Sequence, residues 1–455
     1  MLLFPLLATA SLDAQNWGAP VWQDEFGGAS NAPIDSTKWT YDTGNLMVNN
    51  ELEIYCDPSS NTAPCDSGSP NAFIDGAGHL VVQQRLNGST WTSARLKTQG
   101  VKTFQYGRIE ASLEIPSHPG LWPAFWMLGA NIDSIGWPKC GEVDIMENWP
   151  GLGGDGVNHN ATSMHGDGYS GGNSLTSQFT FPQGEDVTSF HTYGIIWSPN
   201  MMQFYFDDPS NITFVRTADD VPAGTTWPFN NPFFLITNMA VGGVLGGNTD
   251  AGTATATPAM KLDYVRYYQA QTVAGPTITP ASTITVNAGS PGSTTVDLTS
   301  SAGSGLAYLA CTGAPSKATC TIDTGNSLDA HVVDFRSGGT AQATVHVTTT
   351  ANTAKLASSP RYAWAAFLAL GGVALVPFSS RARTGTARRV WLGAGLIALV
   401  LVAAGSSNCG GGSSSGGGGG GGGNNGTPTG HYTLTITAYT VSGDTSTASV
   451  GLNVN

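Results

Sequence analysis

Gly107-Arg108-Ile109-Glu110-Ala111-Ser112-Leu113-Glu114-Ile115 alternates small or apolar residues with polar ones at every second position. Successive side chains of a strand point to opposite faces, so this period predicts a β-strand with one face buried. Phe204-Tyr205-Phe206-Asp207 is a second such run. Many more short ones, separated by Gly, Pro, Asn and Asp, fill the chain from about Trp17 to Gln269. Short strands in that number, with turn residues between them, predict an all-β sandwich. Most of the tryptophans fall in the same span, so residues 17–270 read as one large β domain.

Composition narrows the function classes. The chain has 455 residues, 60 of them Gly, only 11% charged, and a net charge of −13. Nucleic-acid binding needs a basic stripe to displace counterions, so that class is excluded, while a neutral polysaccharide is compatible. Six cysteines suit an oxidising compartment. Cys56 and Cys65 flank one short loop and Cys311 and Cys320 another, so each pair is a candidate local disulfide. Cys140 and Cys409 have no obvious partner, and no His/Cys cluster has zinc-site spacing. The opening run Met1-Leu2-Leu3-Phe4-Pro5-Leu6-Leu7-Ala8-Thr9-Ala10 reads as the apolar core and cleavage site of a signal peptide over 1–14. Export to the periplasm or cell surface is therefore expected.

Beyond Gln269 the composition shifts to Thr, Ser, Ala, Gly and Val. Residues 275–352 carry β-prone runs such as Ser282-Thr283-Ile284-Thr285-Val286, as in a small immunoglobulin-like sandwich. Residues 431–455 supply two more alternating strands, too few to stand alone, which are expected to complete that sandwich. Between them, 361–405 holds two apolar stretches, Tyr362 to Phe378 and Val390 to Ala404, around a turn with Arg381, Arg383, Arg388 and Arg389. A helical hairpin entering the membrane, arginines inside, is the expectation, with a soluble hairpin as the alternative. A Gly-rich linker over 406–430 follows.

The chemistry concentrates in Gly141-Glu142-Val143-Asp144-Ile145-Met146-Glu147-Asn148. Glu142 and Asp144 share a strand face. Glu147 joins them only if one extra residue, a bulge near Ile145-Met146, shifts the register. Three carboxylates with no cation in the segment repel one another, and at least one pKa must rise. A retaining glycosidase needs that asymmetry, one ionised nucleophile and one protonated acid. The alternative is an exposed acidic strand that binds calcium.

This segment resembles the Glu-x-Asp-x-x-Glu signature of family 16 glycoside hydrolases, in the bulged form of laminarinase-like β-1,3-glucanases. Asn49-Asn50-Glu51-Leu52, Tyr106-Gly107-Arg108-Ile109-Glu110-Ala111, Leu121-Trp122-Pro123-Ala124-Phe125-Trp126-Met127-Leu128, Phe190-His191-Thr192-Tyr193-Gly194-Ile195-Ile196-Trp197, Asn238-Met239-Ala240-Val241-Gly242-Gly243 and Asp263-Tyr264-Val265-Arg266-Tyr267-Tyr268 resemble that family too, in its order. The resemblance runs from about Val21 to Gln269 and implies a concanavalin-like β-jelly roll with a long open cleft. It implies that Glu142 is the nucleophile, Glu147 the acid/base and Asp144 the group tuning them. Trp122 and Trp126, whose flat indoles suit the C–H faces of sugars, would line the cleft with Asn50, Arg95, His165 and Asn238. Catalysis would need no cofactor, and Glu25 and Asp263 would be candidate ligands of a structural calcium.

The expected activity is retaining endo-hydrolysis of β-1,3 or mixed β-1,3/1,4 glucan by a monomer whose apolar hairpin associates with the membrane. The rivals are a same-fold hydrolase of another polymer, such as lichenan or a galactan, and a β-glucan-binding protein without catalysis. Loss of either glutamate would mark the binding protein, and both are present.

Overall fold

The computed structural model describes residues 17–256, 259–301, 304–352 and 426–455. The expected signal peptide, the apolar hairpin and nearly all of the Gly-rich linker lie outside the described residues. Among those described, no helix is long and apolar enough to cross a membrane.

The chain is all-β. Its first part stacks two antiparallel sheets. The alternating run quoted first forms the strand Gly107–Glu114 in an eight-stranded sheet, between His191–Ser198 and Met260–Tyr268. A seven-stranded sheet faces it, with the order Ser177–Thr180, His159–His165, Glu142–Glu147, Leu121–Gly129, Phe233–Val241, Arg95–Lys97 and Thr40–Asp42. Ile109, Ala111, Leu113 and Ile195 from the first sheet meet Phe125, Met127, Val143, Met146 and Leu235 from the second in one buried core. Burying each large apolar side chain contributes about 1.5–3 kcal/mol, so this layer dominates the stability of the domain. The seven-stranded sheet therefore has a second face, turned away from the core, on which polar side chains can gather.

Residues beyond 276 form a smaller sandwich of a four-stranded and a five-stranded sheet. In the five-stranded sheet, Gly430–Tyr439 pairs with Leu306–Thr312, and Thr445–Val454 pairs with Gly430–Tyr439 and, in parallel, with Ile284–Val286. The C-terminal strands thus belong to the same small sandwich as residues 277–349. Thr427 N donates to Thr350 O at 2.9 Å and Thr350 N to Thr427 Oγ1 at 2.8 Å, joining the two parts of the chain side by side. Disulfides link Cys56 to Cys65 and Cys311 to Cys320, whereas Cys140 is a free, buried thiol.

The two sandwiches share an apolar seam. Ile196, Met201, Tyr205, Val215 and Tyr268, on the outer face of the eight-stranded sheet, pack against Leu306, Tyr308, Val332 and Val441. Polar bonds fix the register: Tyr308 Oη donates to Asp219 Oδ2 at 2.7 Å, Thr217 Oγ1 to Asp329 Oδ2 at 3.1 Å and Arg336 Nη1 to Ser210 O at 2.9 Å. Beneath the seam the buried Glu110 carboxylate accepts from Tyr205 and Tyr268, and the Arg108 guanidinium stacks 3.9 Å from the Tyr268 ring.

Candidate active site

The strand Glu142–Glu147 begins after Gly141, whose φ of +83° is left-handed and whose added Cβ would sit 2.8 Å from Pro228 Cγ. Only glycine fits there, so the turn into the strand is set by sequence. Within the strand the pairing to His159–His165 runs Glu142↔His165, Val143↔Met164, Asp144↔Ser163, then shifts so that Glu147 faces Ala161. The pairing with Leu121–Gly129 shifts as well. Ile145 and Met146 are both buried, so the extra residue of a β-bulge is taken up there. Glu142, Asp144 and Glu147 consequently stand together on the face away from the core, while Val143 packs inside.

Each carboxylate has fixed partners. Glu142 Oε2 accepts from the Trp137 indole at 2.9 Å, and Glu147 Oε1 accepts from the Trp122 indole at 2.8 Å. His165 Nε2 lies 3.1 Å from Asp144 Oδ2 and 3.5 Å from Glu142 Oε1. Its Nδ1 accepts from Gly171 N at 3.2 Å, so in the neutral ring the proton sits on Nε2 and points at the carboxylates. Trp126 donates to Asn238 Oδ1 at 2.8 Å, and Asn238 Nδ2 donates to Tyr55 Oη at 3.2 Å. The Arg95 guanidinium, paired with Asp42 at 2.9 Å, stacks 4.6 Å from the Trp126 ring centroid.

The structure brings Glu142, Asp144, Glu147, Trp122, Trp126, Arg95, His165 and Asn238 onto one face. Asn50 is different: it lies exposed, with φ of 58°, in the loop before Glu53–Tyr55. His165 ends a strand directly opposite Glu142. Trp137 escaped the reading of the sequence. Its signal was a tryptophan in the turn-forming run Gly136-Trp137-Pro138 just upstream of the acidic strand.

The expected calcium ligands do not meet as a side-chain cluster. Both carboxylate oxygens of Glu25 are engaged by Arg266, at 2.7 Å each. Among the described residues the three-ligand clusters are Glu142–Asp144–His165 and Glu185–His191–Asp207, and neither contains Glu25 or Asp263.

Removal from water dominates the electrostatics. Burial pushes the Glu142 carboxyl up to about 8, with repulsion from Asp144 added and His165 and Trp137 opposing it. Burial alone raises Asp144 to about 8. Glu147 also rises to about 8 through burial and then Asp144, against the Trp122 hydrogen bond and His165. Protons are thus shared among crowded carboxyls, and the group retains at least one at neutral pH.

These shifts predict a pH-dependent stability. Carboxyls held above their unfolded values of 3.8 and 4.5 bind more protons in the folded state. Their contribution is complete below about pH 4 and is lost as the pH rises toward 8. Asp144→Asn removes one charge, so its melting temperature should exceed that of the parent by several degrees at about pH 8 and by less at about pH 4.5. A thermal melt at the two pH values checks this. An equal gain at both would mean that titration is not the cause.

The family described as glycosyl hydrolases family 16 matches residues 35–266. A β-glucanase of Rhodothermus marinus is 35% identical over 257 residues, covering 55% of this chain and 84% of that protein. Glucan endo-1,3-beta-glucosidase A1 of Niallia circulans is 29% identical over 268 residues, covering 55% of this chain but only 38% of that longer protein. Among solved structures, the catalytic domain of a laminarinase from Thermotoga petrophila aligns at 34% identity with a TM-score of 0.49, over 57% of this chain and all of that one. With the family matched across 35–266 and three acidic side chains gathered on the open sheet face within it, the chain belongs to the glycosyl hydrolases of family 16.

Proposed function

We propose that the chain cleaves internal β-1,3 linkages of a glucan, or of a mixed β-1,3/1,4 glucan, with retention of configuration. The observation carrying this is the bulged strand that turns Glu142, Asp144 and Glu147 to one face opposite His165. It is supported by relatives named for β-glucan and β-1,3-glucan hydrolysis. Glu142 is the nucleophile: the Trp137 indole donates to its carboxylate at 2.9 Å and His165 Nε2 stands 3.5 Å from its other oxygen, both favouring the anion. Glu147 also accepts from an indole, Trp122, but has no His165 nitrogen within ion-pair distance; burial and the Asp144 charge keep its proton on, and it is the general acid.

In the first step Glu147 gives its proton to the glycosidic oxygen as that C–O bond breaks. Glu142 closes on the anomeric carbon through an oxocarbenium-like transition state and forms a glycosyl ester. In the second, ionised Glu147 takes a proton from water while the water oxygen attacks the same carbon and Glu142 leaves. Asp144, hydrogen-bonded to His165, sits between them and lifts both glutamates by repulsion. Trp122 and Trp126 offer indole faces to the sugars, and Arg95 and Asn238 offer hydrogen bonds to hydroxyls. No step calls for a cofactor.

The test is reducing-sugar release from laminarin, lichenan, carboxymethyl cellulose and agarose. Release from laminarin supports the reading. Release from agarose alone would move the substrate to a galactan, and binding of laminarin without release would move the chain to the glucan-binding proteins.

We also propose that the chain is exported and held at the membrane by the two apolar stretches within 361–405, Tyr362 to Phe378 and Val390 to Ala404, as their composition suggests. High-speed centrifugation of a full-length preparation decides it: recovery in the membrane pellet supports anchoring, and recovery in the supernatant removes it.

A further inference from the structure

The register sorts the open face of the seven-stranded sheet into rows that cross the strands. Glu147, Ala124, Asn238, Arg95 and Asp42 form one row. Asp144, Trp126, Ile236, Lys97 and Thr40 form the next. Glu142, Leu128 and Phe234 form the third. Catalysis uses the three rows at their Glu147, Asp144 and Glu142 ends. At the opposite corner, beside Lys97 and Phe234, lies a depression of about 490 Å³ to which it assigns no role.

The walls of this depression suit a neutral sugar. Lys97, Gln99, Thr103 and Asp133 contribute polar groups, while Ala130 and Phe234 contribute an apolar side. Lys97 Nζ donates to Asp42 Oδ1 at 2.5 Å and to Gln99 Oε1 at 2.8 Å, and Gln99 Nε2 donates to Asp133 Oδ2 at 3.4 Å. An ammonium has three donors, so one remains for a ligand hydroxyl. Asp42 also pairs with Arg95, so two cations stand against the carboxylates of Asp42 and Asp133. That balance offers nothing to a sulfated or uronic unit. The volume falls within the roughly 300–1,000 Å³ of small-molecule sites, and an apolar wall with a few convergent polar groups fits a pyranose ring.

Side-chain contacts also tie the depression to the Trp126 side of the cleft. Phe234 belongs to the apolar cluster that supports Trp126, and Lys97 shares Asp42 with the Arg95 that stacks on Trp126. Two residues along a strand span about 7 Å, so Lys97 stands about one sugar ring from the Asn238–Arg95 row. Asp133 lies four residues before Trp137, the indole that holds Glu142, on the loop between the strands Leu121–Gly129 and Glu142–Glu147.

Resting on the β-glucanase reading, we infer that this depression is a binding site for a neutral glucosyl unit displaced from the main chain past Trp126, a side branch on the glucan. A polymer lying along the Asn238–Arg95 row meets the depression only sideways, across Lys97. A branch extends in that direction, whereas the main chain would have to turn. The site would let the enzyme accept, and prefer, glucans that carry single-unit branches.

Calorimetry in an inactive Glu142→Gln background tests this without relying on turnover. The probes are a linear β-1,3-gluco-oligosaccharide and one of equal length bearing a single β-1,6-linked glucosyl branch. Thr103→Trp fills the depression from an exposed position, and Gln99→Ala with Asp133→Ala strips its polar wall. In each, Kd for the branched probe should rise about tenfold, or about 1.4 kcal/mol, while the linear probe stays within about twofold. Equal weakening of both probes, with the melting temperature kept, supports a glucosyl site occupied by the main chain instead. No change for either probe in folded variants overturns the proposal. Hydrolysis of laminarin by the unmodified chain judges the β-glucanase reading separately, so the two can fail independently.

Discussion

Glu142→Gln should lower kcat on laminarin by at least about 10³-fold, and Glu147→Ala by about 10²–10⁴-fold, the range for losing a positioned proton donor. The two losses differ in kind, and a small anion separates them. With azide, Glu142→Ala leaves a cavity below the anomeric carbon. The anion attacks there while Glu147 still protonates the leaving oxygen, so the product is the α-glycosyl azide. In Glu147→Ala the glycosyl ester on Glu142 still forms from a substrate with a good leaving group. Azide then enters where water would, giving the β-glycosyl azide. Exchange of the two products between the variants would reverse the assigned roles. Rescue of neither would remove the glycosyl ester from the mechanism.

A fragment ending at residue 270 should be far less stable than the full chain. It uncovers Ile196, Met201, Tyr205, Val215 and Tyr268, all buried in the seam with the C-terminal sandwich. It also leaves the buried Arg108 and Glu110 under solvent instead of protein. Returning several such side chains to water costs on the order of 5 kcal/mol or more. At about 2–4 °C per kcal/mol for a domain of this size, the melting temperature should fall by more than about 10 °C, with aggregation through the uncovered face. The carboxylates stand on the other sheet, so turnover per folded molecule should survive at low temperature. Scanning calorimetry of fragment and full chain checks this. A monodisperse fragment melting within about 2 °C of the full chain would show that the seam contributes little.

The seam also marks where the sequence is harder to read. Period-two runs such as Gly107–Glu114 announce strands, and that strand lies where the patterning places it, but its polar positions Arg108, Glu110 and Ser112 are buried too, so alternation did not mark a face open to water. Met201–Phe206 is buried at every position, because the core covers one face and the C-terminal sandwich the other. Its near-continuous apolar run signals burial on both sides but not by what. The catalytic face was legible because three carboxylates on one strand, with no cation in the segment, are costly to keep for structure alone. It still required an unpaired residue at Ile145-Met146 that alternation alone would have denied. Trp137 and the loop carrying it were not legible, since only the folded turn brings that indole to Glu142. Glu25, a candidate calcium ligand by resemblance alone, pairs through both carboxylate oxygens with the Arg266 guanidinium, a partner that its place in the sequence does not announce.

The stereochemistry of laminarin cleavage by the full chain, followed from the first minutes by proton NMR of the new anomeric signals, separates double from single displacement. Double displacement by Glu142 and Glu147 predicts that the β-anomer appears first and the α-anomer grows in only by mutarotation. An α-anomer appearing first would mean a single displacement by water and would contradict the nucleophile assigned to Glu142.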